Sequence, residues 1–101
     1  MILRGLALIG VLSAVPILAH ADGEFPAAAR PCITCHGRDG FGTTPDFPNL
    51  AGQGSIYLMQ QLTAFRDGTR HSEVMNIAAK DLTDSDIRAI AEYYESRPAC
   101  K

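Results

Sequence analysis

An all-α fold follows from three features of this sequence. Between positions 55 and 66, Leu58, Leu62 and Phe65 recur at helical spacing, and Gly68 stands where a helix would stop. Thr83-Asp84-Ser85-Asp86 has the form of a capping box, with Asp in place of the usual Glu. Ile87, Ile90, Ala91 and Tyr94 then follow on one helical face. Between Gly37 and Gly54, glycine or proline stands at positions 37, 40, 42, 45, 48, 52 and 54, which reads as loop and not as sheet.

Taken in order, residues 1–21 open with one basic residue, Arg4. An uncharged stretch from Gly5 to Leu18 and then Ala19-His20-Ala21 follow. This is the tripartite form of a cleaved secretory signal peptide with an A-x-A site. Its apolar core is shorter than the roughly 20 residues a membrane span needs, which disfavours an uncleaved anchor. No cysteine follows the cleavage point, so a lipoprotein is disfavoured too. The mature domain is then residues 22–101, a single unit of 80 residues in which burial alone is marginal and a covalent cofactor helps.

Arg4 is the only charged residue lost with the leader, so eight basic and eleven acidic side chains remain, net −3. That balance carries no basic nucleic-acid footprint. With Lys80 and Lys101 as the only lysines, there is no lysine-ringed docking face either, and the charges read as a solvated surface.

A first helix is expected just before Cys32, kinked or shortened by Pro31. Cys32-Ile33-Thr34-Cys35-His36 comes next, two cysteines three apart with a histidine directly after. The pattern is that of a c-type haem attachment site. Two thiols at this spacing reach both vinyl groups on one porphyrin edge from a single turn, and the next residue brings an imidazole to the iron. A thioredoxin-like CxxC would need a preceding strand in a βαβ unit, which is not visible. A zinc site would need about four ligands, and only His71 and Cys100 remain, at no recognisable spacing.

The loop after His36 has a place in such a protein, since it must wrap one side of a flat apolar disc. Gly37-Arg38-Asp39-Gly40-Phe41-Gly42 is glycine-rich but lacks the preceding strand and spacing of a dinucleotide loop. Ser55 is the expected cap of the helix that runs to about Arg66. Asp84 and Asp86 lack the glycine and distal glutamate of a calcium loop, so they read as helix capping.

The ordered set CITCHG, FPNLAGQ, YLMQQLTAFRDGTR, VMNIA and LTDSDIRAIAEYY resembles small bacterial class I cytochromes c, and the likeness covers Arg30 to about Ser96. It is strongest to the single-haem units of periplasmic electron carriers and of diheme cytochromes. The resemblance implies three to four short helices and loops around one haem, with the N- and C-terminal helices crossing near the attachment site. It implies thioethers at Cys32 and Cys35, a proximal ligand at His36, and a hydrogen bond from that histidine to the carbonyl of Pro48, twelve residues on.

The sixth ligand is sought among Met59, Met75 and His71. Met59 lies within the helix from Ser55, beside its apolar face, where core packing is the plainer role. Met75 follows a polar, irregular stretch and matches the family's distal methionine; His71 is the competing bis-histidine alternative. Two departures stand out. Pro31 limits the first helix, so its contact with the last helix would use small side chains such as Ala28, and Cys100 is one cysteine too many.

The expected function is therefore one-electron transfer in a bacterial periplasm. The haem is covalent and axially filled, the partners are redox proteins, and no enzyme activity is expected. A cytochrome subunit of a periplasmic dehydrogenase, such as the flavocytochrome c sulfide dehydrogenase kind, is the alternative. A haem ligand sensor or weak peroxidase would require a labile Met75 bond.

Overall fold

The computed structural model describes residues 1–16 and 24–101. The Ala19-His20-Ala21 triplet lies outside the described residues. Residues 1–16 form no helix or strand, and their apolar side chains are exposed. Residues 24–101 are all-α: a 3₁₀ segment Ala27–Cys32 runs into α1 (Ile33–His36), followed by α2 (Ser55–Asp67), α3 (Glu73–Ala79) and α4 (Asp84–Glu95). No strand occurs among the described residues.

Local chemistry accounts for most of the boundaries. Pro31 lies inside the 3₁₀ segment, where the missing N–H and fixed φ favour short tight turns over a continuous α-helix. Gly68 closes α2 in the left-handed conformation at φ 79°. Thr83 and Asp86 form the expected capping box, with the Thr83 hydroxyl accepting from Asp86 N–H and the Asp86 carboxylate accepting from Thr83 N–H, each at 3.0 Å.

The structure departs from one expectation. The N-cap of α2 is Gly54, not Ser55, and the Ser55 N–H donates to the Glu95 carboxylate at the far end of α4. The cap thus comes from a residue forty positions away, which no local pattern reveals. The polar stretch before Met75 is irregular through Ser72, as expected, and Met75 itself lies in the first turn of α3. Ser72 caps it, its hydroxyl accepting from Met75 N–H at 3.2 Å.

α2 packs against both α3 and α4, and α4 packs against the 3₁₀ segment. Ala29, Leu58, Ile90, Ala91, Tyr93 and Tyr94 make one buried cluster. Ala29, fully buried, is the residue the first segment contributes to the cluster, with Ala28 packed at its edge. Small side chains let the two backbones approach despite the short first helix. Arg66 ties the end of α2 to the start of α4, donating to Leu82 O at 3.2 Å and to Asp84 at 2.7 Å.

Candidate functional site

The attachment segment and the loop directly after it are held from three sides. At its C-terminal end, Thr43 N–H donates to Cys35 O at 2.9 Å, and the Thr43 hydroxyl donates to Thr34 O at 2.8 Å. From α4, the Tyr94 hydroxyl donates to Gly37 O at 3.0 Å and the Tyr93 hydroxyl to Arg38 O at 2.6 Å. From the loop, Leu50 and Ala51 N–H both donate to Gly40 O, at 2.7 and 3.0 Å. Gly40 has φ +84°, and a Cβ there would lie 2.6 Å from Ala51 N, so the two loop strands meet only because glycine sits at the crossing.

His36 closes α1 and is 8% exposed, the one buried polar side chain among the described residues. Its Nδ1 lies 2.8 Å from Pro48 O. A carbonyl cannot donate, so Nδ1 carries a proton and donates to Pro48, and Nε2 is the nitrogen left to take a ligand. The structure thus brings together His36 and Pro48, the pair expected from the resemblance.

Cys32 and Cys35 form no disulfide and lie half-buried on the same short helical run. Burial, and secondarily Cys35, pushes the Cys32 thiol up to about 11. Burial, followed by the charges of Cys32 and Tyr93, also raises the Tyr94 phenol, so both groups stay protonated and neutral at physiological pH.

Met75 is half-buried on α3 and does not belong to the hydrogen-bonded set around His36. Met59 is half-buried against the core cluster, as its packing role requires, while His71 is exposed in the turn before α3. Cys100 is free and exposed. Sequence reasoning missed Thr43, Tyr93 and Asn76. Thr43 and Asn76 are polar loop or helix residues with no periodic signal. Tyr93 is adjacent to an apolar position and off the main stripe.

The donor set fits a haem. An apolar macrocycle that takes a nitrogen ligand calls for one imidazole in an otherwise apolar setting, and the buried His36 is that group. The protein's own core is also thin. Ala29, Ala51, Ala79 and Ala91 are four of the nine buried apolar residues among the described residues. Phe25, Leu50, Met59, Leu62 and Leu82 are only partly covered where they pack on it. Such a fringe gains about 25 cal/mol for each Å² that a further apolar group removes from water.

The family model described as cytochrome c matches residues 21–97. Cytochrome c-554(548) of Halomonas halodenitrificans is 45% identical over 65% of this chain and 83% of its own. A thiosulfate dehydrogenase electron acceptor of Stutzerimonas stutzeri is 42% identical over 62% of this chain and 31% of its own. Among solved structures, a cytochrome c4 of Acidithiobacillus ferrooxidans aligns with a TM-score of 0.61 and 44% identity, covering 74% of this chain and 41% of that one. The chain therefore spans most of the first relative but less than half of the other two. With its all-α architecture and its CxxCH turn, the chain belongs to the cytochrome c family.

Proposed function

We propose that this chain is a periplasmic one-electron carrier whose haem iron takes His36 and Met75 as axial ligands. Its relatives are electron carriers, not enzymes, and the family carries haem c, here held through Cys32 and Cys35 of the CxxCH motif. The observation that carries the reading is the buried His36 imidazole, the proximal ligand, bonded through Nδ1 to Pro48 O at 2.8 Å. When bound, haem c supplies a ferric–ferrous couple.

The chain's own residues do the rest. Pro48 fixes the His36 ring and its tautomer and strengthens Nε2 as a donor. Thr43 holds the turn that carries the cysteines, and Tyr94 and Tyr93 hold Gly37 and Arg38 just after His36. The Met75 thioether would favour the reduced form of the bound haem. With His36 and Met75 both holding the iron, no position would be open to a substrate. The leader reading for residues 1–21 rests on their composition. No helix of the described residues is long and apolar enough to cross a membrane.

Mass spectrometry of protein exported in a host with haem-attachment machinery should show one haem that survives acid–acetone extraction, on a chain starting at Asp22. Free thiols at Cys32 and Cys35 would overturn the assignment. A weak sulfur-to-ferric-iron absorption band at the red edge of the visible should be present in the wild type. It should be lost in Met75→Ala and kept in His71→Ala. Retention of the band in Met75→Ala would refute the distal ligand.

The relative named as a thiosulfate dehydrogenase electron acceptor favours a second reading, in which the chain serves one dehydrogenase as a bound subunit. Gel filtration of native periplasm decides between them: a free carrier elutes at the size of the single chain.

A further inference from the structure

We propose that Asn76 is the positioning residue for the distal ligand, holding the backbone on both sides of Met75 against the end of α2. The inference rests on the reading of Met75 as that ligand. One side chain makes three hydrogen bonds. Its Oδ1 accepts from Ser72 N–H at 2.8 Å, and its Nδ2 donates to Phe65 O at 2.8 Å and to Arg70 O at 2.9 Å. Those partners span the end of α2, the following turn and the cap of α3. Met75 sits between the two points that the clamp fixes, three residues after Ser72 and directly before Asn76.

α3 is seven residues long, far below the length at which a helix holds itself in water. Its place is therefore set by what ties it down. The Ser72 cap orders the first turn but reaches only Met75 N–H, within α3 itself. Arg70 is anchored on α2, over the Phe65 ring at 4.6 Å and to Gln61 Oε1 at 2.6 Å. Asn76 is what joins that anchored turn to α3. An amide is the side chain the site needs, because one face must accept from an N–H while the other donates to two carbonyls. Aspartate keeps the first bond and loses the other two.

The test is carbon monoxide binding to the reduced holoprotein, together with the red-edge band of the oxidised form. Thr83→Ala, which removes a cap remote in sequence from the site, serves as a control for general destabilisation. Asn76→Ala should bind carbon monoxide at least tenfold faster than wild type and lose the band at a lower temperature, with a lowered reduction potential. Asn76→Asp should fall between the two. Thr83→Ala should lose stability yet keep the wild-type binding rate within twofold. If both Asn76 variants keep the rate and band of the wild type while Met75→Ala loses the band, the clamp plays no part in ligand placement and the proposal fails alone. If Met75→Ala keeps the band, the ligand reading itself has failed. Should Asn76→Ala yield no holoprotein, the binding rate and band of Asn76→Asp decide the question: wild-type values overturn the clamp, and faster binding supports it.

Discussion

Gly40 and Gly68 have nearly the same backbone conformation, at φ +84° and +79°, but opposite surroundings, and alanine at each separates strain from contact. At Gly68 a Cβ meets nothing within 4 Å. Gly68→Ala then carries only the left-handed penalty of about 1–2 kcal/mol, offset by about 0.4–1 kcal/mol from a stiffer unfolded chain. A net loss of about 1 kcal/mol is expected. At Gly40 the same Cβ would lie 2.6 Å from Ala51 N and 2.9 Å from Ala51 Cα, both backbone atoms that no rotamer change can clear. Segment 50–51 must move, and the bonds from Leu50 and Ala51 N–H to Gly40 O weaken together. At about 1 kcal/mol for each bond, Gly40→Ala should cost about 3–4 kcal/mol in all. Urea unfolding of the two holoproteins, followed by circular dichroism with unchanged slopes, measures the gap. Because Pro48 lies two residues before Leu50, Gly40→Ala should also shift the reduction potential and Gly68→Ala should not. Equal losses in the two variants would refute the argument that the loop crossing, rather than φ, makes glycine necessary at position 40.

Other changes follow from the same geometry. Thr83→Ala removes one half of the capping box and should cost about 1 kcal/mol in the urea midpoint. Tyr94→Phe deletes the bond to Gly37 O from a fully buried ring and should cost about 1–2 kcal/mol, by the same measurement. Met59→Leu, a swap of similar volume against the core, should cost under about 1.5 kcal/mol and leave the red-edge band in place. Cys35→Ser should sharply reduce the yield of holoprotein, read as haem stain against total protein.

The helical face of α4 and its start were legible in the sequence. Ile87, Ile90, Ala91 and Tyr94 are all buried, and Thr83 and Asp86 cap as their spacing predicts. The attachment turn was legible for a different reason: thioether chemistry dictates its residue types and spacing, so the motif is readable without any fold. α3 was not legible. Glu73–Ala79 is too short to show a period, and its existence depends on Ser72 and Asn76 finding partners at the end of α2.

By itself, then, the sequence determined the helical class, the haem-bearing turn with Cys32, Cys35 and His36, and the two methionines from which a distal ligand is drawn. These are properties of local spacing and of functional-group chemistry, which a linear chain carries intact. Tertiary structure decided the rest. It brings Pro48 O to His36, which no local spacing dictates, and it selects the glutamate that caps α2 and the side chains that hold Cys35, Gly37 and Met75 in place. Each of those is a hydrogen bond between groups distant in the chain or held at a turn. Its directionality is satisfied only once the helices have packed and brought donor and acceptor within about 3 Å.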